Sequence, residues 1–303
     1  MEVLYSVPKD KKGKETLTHG TSLFPCGAYN RDIRQYITGE IPPHWHHDME
    51  IFLLTAGSAR ISFADSQYDL QPGEGFFANS GVLHGVSCPS GTVCRYHSMV
   101  FDPAILSGAP GSAYELLYLR PFMEQGASFR IYRPQDSEKD ERIARLFASA
   151  FDACSKKADG YEFAVRSFLS QIFLILREDS GTGSGRKNSQ QELRMKQMLS
   201  WLDKHYMEEI TTAQLADAAG ICVRECQRSF SNILHTTPIR YLNRHRITIA
   251  AEFLVSTDLP VSEIALCCGF DNPSYFAKQF KAITGMTPKD YRKKCSLAPA
   301  AYE

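Results

Sequence analysis

The C-terminal part of the chain contains the same sequence pattern twice, and this repeat constrains the fold more than any other feature. Matching residues lie 50 positions apart. The matched pairs are Phe230 and Phe280, Ile233 and Ile283, Pro238 and Pro288, and Tyr241 and Tyr291. Two copies are too few for a solenoid, which needs at least about three stacked units. The repeat therefore predicts a small domain of two similar helical units within residues 211–294.

Each copy is predicted to fold as a helix, a tight turn and a second helix. In copy one, Thr211 is followed three residues later by Gln214, a pair typical of a capping box at a helix start. Gly220 and Gly269 follow the first apolar segment of each copy and mark the turn. In copy two, the run Asn272–Pro273 is typical of an N-cap and a first helical position.

The second helix of each copy is predicted to expose a polar and basic strip. Phe276, Phe280 and Ile283 share one face, so residues about half a turn away point outward. The predicted exposed positions are Arg224, Gln227, Arg228 and Ser231 in copy one, and Ser274, Ala277, Lys278 and Lys281 in copy two, with Asn272 and Pro273 at the helix start.

A basic strip on a single helix is usually no more than a solvated face. Its recurrence in register in both copies favours a helix-turn-helix, in which the exposed face of the second helix enters the major groove of DNA. Arginine can pair with guanine and glutamine with adenine, while lysine and serine can hold phosphates.

The charge is unevenly distributed along the chain. Residues 186–303 contain 16 Lys+Arg and 12 Asp+Glu, which gives a net charge of +4. The rest of the chain contains 18 Lys+Arg and 22 Asp+Glu, which gives −4. This asymmetry supports a polyanionic partner for the C-terminal half.

The N-terminal half has a different pattern. Residues 21 to about 101 alternate in short apolar runs broken by turns, which predicts an antiparallel β-sandwich or barrel. After Pro103 the period becomes helical, with amphipathic helices within 138–177 that could pack on the barrel or against a second subunit. A Gly/Ser-rich stretch at 180–185 predicts a linker.

The second copy resembles a known family. The resemblance lies in Ile264-Ala265, Cys268-Gly269-Phe270-Asp271-Asn272-Pro273-Ser274-Tyr275-Phe276, Phe280-Lys281, Gly285-Met286-Thr287-Pro288 and Tyr291-Arg292. This pattern is similar to that of AraC/XylS-type transcription regulators. The resemblance covers residues 195–294. It implies two helix-turn-helix units joined by a long helix, here 238–255, that presents both recognition helices to successive major grooves.

Copy one departs from the family pattern at several positions. Cys222 stands where the family has a capping serine, Cys226 replaces a leucine, Ser231 a lysine and His235 a glycine. Histidine tolerates positive φ better than most residues, so we expect the fold to survive. We expect copy one to provide base recognition through Arg224 and Arg228, and copy two to anchor the DNA backbone.

The N-terminal half resembles the two cupin motifs, in Gly39-x4-His44-x-His46-x3-Glu50-x6-Gly57 and in Gly75 to His84, although the usual Pro-x-Gly before the last histidine is absent. In metal-binding cupins, residues in the positions of His44, His46, Glu50 and His84 converge on one ion. Such a set suits Fe, Mn, Ni or Zn. In AraC-type sensor domains the same stretch often lines the barrel without metal. His97 is a further pocket candidate by its place in these domains.

These observations predict an α+β multi-domain protein. Residues 1–20 form an arm, 21–180 a cupin-like barrel with appended helices for ligand sensing and dimerisation, 181–190 a flexible linker, and 191–296 an all-α DNA-binding domain. We predict a transcription regulator that binds double-stranded promoter DNA as a homodimer and is modulated by a small-molecule effector. A contact with RNA polymerase is compatible with this class. The effector site is expected to use His44, His46, Glu50, His84 and His97.

Two alternatives remain. One is a metal-dependent cupin enzyme or metal sensor that uses His44, His46, Glu50 and His84; the other is an adaptor that binds only proteins. No nucleophile–base–acid set or phosphate loop stands out, so we predict no catalytic residues, no cofactor, no bound metal and no enzyme activity. The sequence has no apolar run approaching about 20 residues and no signal peptide, which predicts a cytoplasmic protein without membrane contact. The nine cysteines are expected to be reduced thiols.

Overall fold

The computed structural model describes residues 15, 17–64, 66–88, 93–178 and 190–296. Within them the chain forms two compact units. The first contains the described residues of Glu15–Ile33 and His44–Ser189, and the second those of Arg34–Pro43 and Gln190–Glu303. The predicted linker, apart from Gln190, and most of the predicted arm lie outside the described residues.

The strands of the described residues form two sheets. Their bounds are β1 Cys26–Asp32, β2 Glu40–His44, β3 Met49–Gly57, β4 Ala59–Phe63, β5 Ser66–Leu70, β6 Gly75–Ala78, β7 His84–Ser87, β8 Cys94–Phe101 and β9 Phe129–Tyr132. A five-stranded sheet has the order β1-β8-β3-β6-β9 and a four-stranded sheet the order β2-β7-β4-β5. The antiparallel pairing of β3 with β6 and β8 confirms the predicted class of sheet.

One part of the barrel interior is filled by stacked aromatic rings. Phe52 of β3 stacks on Phe76 of β6 and on Tyr96 of β8, with ring centroids 4.9 and 4.7 Å apart. Phe63 of β4 stacks on Phe129 of β9 at 3.7 Å. These rings are buried. Because side chains alternate along a strand, Glu50 lies on the same face of β3 as Phe52 and points to the same interior.

Strand β9 was not predicted, because the sequence after Pro103 was interpreted as helical. It closes one edge of the five-stranded sheet by pairing with β6, where Gly75 faces Tyr132. The Tyr132 hydroxyl donates to the carbonyl of Phe52 at 2.7 Å. A Cβ at Gly75 would lie 2.3 Å from that hydroxyl, so this close approach requires glycine.

The helices of the first unit are α1 Ala104–Ser107, α2 Arg120–Gln125, α3 Glu138–Lys156 and α4 Tyr161–Glu178, with a π-helical turn at Tyr114–Leu119. The predicted apolar stripe of α3 is confirmed at Ile143, Phe147 and Ala150, which are fully buried. They belong to the same core as Ile51 of β3 and Met99 of β8. Helix α3 therefore covers the outer face of the five-stranded sheet, and α4 packs against α3 with Val165 and Leu169 in the same core.

The described part of Gln190–Glu303 in the second unit is helical. Its elements are α5 Gln190–His205, α6 Thr212–Ala218, α7 Val223–Leu234, α8 Pro238–Ser256, α9 Val261–Cys267, α10 Pro273–Thr284 and α11 Pro288–Ser296. Helix α8 connects the pair α6–α7 to the pair α9–α10. As predicted, its buried side contains Leu242, Ile247, Ala250 and Leu254. The capping box of Thr211 and Gln214 is formed at the start of α6.

Two further sequence expectations can be compared with the structure. None of the nine cysteines, all of which lie in the described residues, forms a disulfide. Among the helices of the described residues, none combines the length and the apolar character that a membrane span requires.

Candidate functional site

Helices α7 and α10 have matching buried faces. In α7 these are Cys226, Phe230 and Ile233, at most 3% exposed, and in α10 they are Phe276 and Phe280, at 0%. The packing fixes the rotation of both helices about their axes. On the opposite faces the predicted positions are exposed, except that Ala277 is half-buried; they are Arg224, Gln227, Arg228, Ser231, Asn272, Pro273, Ser274, Ala277, Lys278 and Lys281.

The helix ends differ between the copies in the way the sequence predicted. The side-chain oxygen of Asn272 accepts hydrogen bonds from the backbone N–H groups of Ser274 and Tyr275, at 2.9 and 3.0 Å. Cys222 makes no such bond at the start of α7. His235 ends α7 in the left-handed conformation with φ of 49°, where Gly285 ends α10 at 77°. The oxygen of Asn272 is thus used for capping, and its NH2 group is the part that remains for a partner.

A second candidate site lies in the barrel interior. His44 ends β2, Glu50 belongs to β3, His84 begins β7, and His46 lies between β2 and β3. All four side chains are buried, with exposures of 2% to 6%. Each offers one donor atom, and these four atoms lie within 4.8 Å of one another. The structure therefore brings together four of the five residues that the sequence assigned to the pocket.

Two of the three imidazoles of this cluster are oriented by backbone carbonyls. Nδ1 of His46 lies 2.9 Å from the carbonyl of Asp48, and Nδ1 of His84 lies 2.9 Å from that of Val82. A carbonyl can only accept, so each Nδ1 carries the proton. In the neutral imidazole, Nε2 is then the free lone pair and points into the cluster. Metal-binding histidines are commonly oriented in this way.

Glu50 is the acceptor at the centre of the cluster. Its Oε2 lies 3.0 Å from Nε2 of His84 and 3.5 Å from Nε2 of His46, while its Oε1 accepts from the Ser98 hydroxyl at 3.0 Å. Burial opposes ionisation, but the close approach and the charges of His46 and His84 outweigh it and hold the pKa of Glu50 well below its usual range. Burial likewise opposes the charge on His46, but Glu50 outweighs it and raises the pKa of His46.

The donor spacing fits a single transition-metal ion. Metal–ligand bonds of about 2.0–2.2 Å place neighbouring ligand atoms on one ion about 3 Å apart and opposite ones about 4 Å apart. The separations around Glu50 are 3.0 and 3.5 Å. Nε2 of His46 is buried and has no hydrogen-bond partner. Without an ion, a lone pair on Nε2 of His84 or His46 would face the Glu50 carboxylate, unless the imidazole carries a second proton.

The N-terminal segment also reaches this cluster, which the sequence analysis did not anticipate. Glu15 Oε2 lies 3.6 Å from Nε2 of His44 and 4.0 Å from Nε2 of His46, and Oε1 lies 3.6 Å from Nε2 of His19. His19 Nδ1 lies 2.7 Å from the Tyr29 hydroxyl. Burial and the proximity of His46 lower the pKa of His19 to about 4, so it is neutral at pH 7. No motif in the sequence indicated these residues.

His97 is not part of the cluster. It lies on β8 next to Ser98, and Ser98 is the residue that points to Glu50. Since neighbouring side chains on a strand point to opposite faces, His97 faces the covering helices. Its ring stacks on Phe151 of α3 at 4.0 Å. The expectation that His97 lines the same pocket as the other histidines is therefore corrected.

Comparison with known proteins identifies the class of both units. Residues 33–173 match the AraC-like ligand binding domain and residues 215–294 a helix-turn-helix domain. The chain is 29% identical to YdeC of Bacillus subtilis, an uncharacterised HTH-type transcriptional regulator, over 94% of this chain and 97% of YdeC. It is 26% identical to the HTH-type transcriptional activator RhaS of Citrobacter koseri, over 92% and 97%.

Among solved structures, ToxT of Vibrio cholerae aligns with a TM-score of 0.46 and 11% identity, over 92% of this chain and 100% of ToxT. The two-domain composition and the full-length sequence similarity define a DNA-binding transcription regulator with an N-terminal ligand-binding domain. The chain belongs to the AraC family of such regulators.

Proposed function

We propose that the exposed faces of α7 and α10 bind the promoter DNA that this regulator controls. The observation that carries the proposal is the presence of two matched basic strips, Arg224 with Arg228 and Lys278 with Lys281, each opposite a fully packed apolar face. Such a face can enter the major groove without exposing the core of its unit. The family membership supports this role.

The two strips are proposed to have different roles in DNA binding. Arginine can bond two acceptors of guanine at once, so Arg224 and Arg228 of α7 are the candidates for base recognition. Lysine acts as a point charge, so Lys278 and Lys281 of α10 are the candidates for phosphate contacts. The firm capping of α10 by Asn272 suits an element that positions the protein on DNA.

Selection of genomic DNA fragments by the purified protein tests this proposal. Arg228→Ala should weaken binding and relax the selected sequence at one or two base pairs, whereas Lys278→Ala should weaken binding to all selected fragments alike. Lys289→Ala, an exposed lysine of α11 outside both strips, is the matched control. Unchanged affinity in both strip variants would refute the contact map, and failure of the wild-type protein to select DNA would favour an adaptor.

The proposal extends to assembly. We infer a homodimer formed through α3 and α4, because Phe163 and Leu174 of α4 remain 80% and 52% exposed while Val165 and Leu169 of the same helix are buried. A contact with RNA polymerase would accompany activation of a promoter. Light scattering of the wild type and of Leu174→Glu tests the dimer, and a monomeric wild-type protein at micromolar concentration would contradict it.

A second candidate function is that the effector of the N-terminal unit is a transition-metal ion, so that the protein is a metal-responsive regulator. The geometry of His44, His46, Glu50 and His84 favours it, because four buried donor atoms converge and backbone carbonyls orient two of the imidazoles with Nε2 inward. These residues would hold the ion, and the ion would supply a positive charge at the centre of the barrel. The known relatives are regulators, which supports a sensory role for this site over a catalytic one.

Thermal denaturation of metal-stripped protein with and without Ni²⁺, Co²⁺, Zn²⁺ or Mn²⁺ tests the metal site. An ion that binds only the folded state at 100 times its Kd adds about 2.7 kcal/mol of stability. We expect the increase in Tm to disappear in His46→Ala and to persist in His47→Ala, its exposed neighbour. Equal responses of the two variants, or no response of the wild type to any of the four ions, would reject this candidate.

A further inference from the structure

The described residues of the segment 15–20 contact the barrel next to the histidine cluster. The Glu15 N–H donates to the carbonyl of Trp45 at 3.0 Å, between the two ligand candidates His44 and His46. Gly20 adopts φ of +77°, and a Cβ there would lie 2.5 Å from the backbone of Cys26, so only glycine allows this turn into β1. The backbone thus carries the Glu15 side chain to the cluster.

The Glu15 carboxylate lies close to two of the four candidate ligands. Its side chain is 7% exposed, and Oε2 lies 3.6 Å from Nε2 of His44 and 4.0 Å from Nε2 of His46. These separations fall in the range of about 3 to 4 Å expected for atoms that share one ion. Glu50 approaches the same His46 nitrogen at 3.5 Å. Two buried carboxylates facing one imidazole repel each other unless positive charge lies between them.

We propose that Glu15 is a further ligand of the ion held by His44, His46, Glu50 and His84, so that metal binding fixes the N-terminal segment on the barrel. This inference rests on the proposed metal site. Three imidazole nitrogens and two carboxylate oxygens balance the charge of a divalent cation. Five donors suit a six-coordinate ion such as Mn²⁺, Fe²⁺, Co²⁺ or Ni²⁺, with one position left open, better than a tetrahedral zinc site.

His19 lies next to the Glu15 carboxylate. The ring is buried, and the Tyr29 hydroxyl, 2.7 Å from Nδ1, donates to that nitrogen in the tautomer that carries its proton on Nε2. Nε2 then points its hydrogen toward Oε1 of Glu15, 3.6 Å away, while Oε2 faces the cluster. Tyr29 lies on β1, so this chain of contacts links the segment to the sheet. Outer contacts of this kind orient metal ligands in proteins.

The test uses the full-length, metal-stripped protein and Co²⁺ as the probe. The dissociation constant is measured by competition with a chromophoric chelator, and the visible absorption of Co²⁺ reports its coordination number. We expect Glu15→Gln to weaken Co²⁺ binding at least about tenfold and to change the absorption spectrum. Thr18→Ala, an exposed change in the same segment, should leave both unchanged.

Hydrogen exchange of the backbone amides of residues 15–20 is the second measurement. Co²⁺ should slow exchange of the Glu15 amide in the wild type and not in Glu15→Gln, because only the wild-type side chain ties the segment to the ion. If Glu15→Gln and the wild type show the same Co²⁺ affinity, the same absorption spectrum and the same protection of the Glu15 amide, Glu15 is not a ligand. The four-residue site is then retained. If the wild type binds none of Ni²⁺, Co²⁺, Zn²⁺ and Mn²⁺, the metal site itself fails.

Discussion

At the level of single residues, the two copies of the repeat differ most at the ends of their recognition helices. Asn272 caps the start of α10 with two hydrogen bonds, whereas Cys222 makes none at the start of α7. At the other end, His235 adopts the left-handed conformation that Gly285 adopts in α10. Copy one therefore contains two local weaknesses that copy two lacks.

Replacing Cys222 by serine should correct the first weakness. The serine hydroxyl can accept from a backbone N–H in the first turn of α7, which should stabilise the second unit by about 0.5–1.5 kcal/mol. Asn272→Ala should destabilise it by about 1 kcal/mol. Urea unfolding can be followed by the fluorescence of Trp201 in a Trp45→Phe background, since the chain has two tryptophans. If Cys222→Ser leaves the stability unchanged while Asn272→Ala lowers it, other groups cap α7.

At the level of elements, the ends of the long helices in the second unit are covered by arginines. Arg246 of α8 donates from Nε to the carbonyl of Tyr206 and from Nη2 to that of Glu208, both at 2.6 Å, just beyond the end of α5. Arg292 of α11 donates in the same way to the carbonyl of Leu254 near the end of α8 at 3.0 Å. These bonds provide donors to carbonyls at or just beyond helix ends, where the helical hydrogen-bond ladder stops.

Arg246→Met should therefore lower the stability by about 1–3 kcal/mol, because two partly buried carbonyls lose their donor. Arg246 is 8% exposed, and its guanidinium lies 5.6 Å from the centre of the Phe270 ring. Arg240→Met, an exposed change on the same helix, should stay within about 0.5 kcal/mol of the wild type. The same unfolding assay measures both, and a loss below 1 kcal/mol for Arg246→Met would mean that water replaces the guanidinium.

The elements also show which parts of the structure could be predicted from sequence. Helix α8 was predicted because its apolar residues recur with the helical period. Strand β9 was missed because its four residues pair with β6, about 50 positions earlier in the chain, and local periodicity carries no information on such pairing. His97 was misplaced because helices cover the outer face of the sheet, so both faces of β8 are largely buried and alternation does not distinguish them.

The candidate sites were predictable to different extents for a similar reason. Spacing within a motif identified His44, His46 and Glu50, and a second motif identified His84. Glu15 belongs to a polar segment without a motif, and only the fold brings it to the cluster. The recognition helices were predicted with their orientation, since a packed apolar face on a helix determines which residues are exposed.

At the level of the whole molecule, the net charge is zero, but residues 186–303 carry a net charge of +4. If α10 contacts phosphates, the logarithm of the association constant with operator DNA should fall linearly with the logarithm of salt concentration. The double variant Lys278→Ala with Lys281→Ala should reduce the magnitude of that slope by about 2, roughly 0.9 for each lost phosphate contact. Fluorescence anisotropy between 50 and 200 mM salt measures it. An unchanged slope would place both lysines away from the backbone.

The last prediction concerns the coupling of the two units. If the ion is the effector, it must change the affinity for operator DNA, and by thermodynamic linkage the operator must change the affinity for the ion by the same factor. We expect a factor of about 5 to 150, as for other allosteric regulators. Anisotropy with and without Co²⁺ gives one side of the cycle, and Co²⁺ titration with and without operator gives the other.

His84→Ala is the control for this cycle, because it removes a ligand far in sequence from either recognition helix and should abolish the effect of Co²⁺ on DNA affinity. A ligand with equal affinity for both states of a protein shifts no equilibrium, however tightly it binds. Tight Co²⁺ binding with a coupling factor of one would therefore assign the ion a structural role in the barrel and leave the effector to be an organic molecule. Unequal factors on the two sides of the cycle would indicate that Co²⁺ binds at a further site.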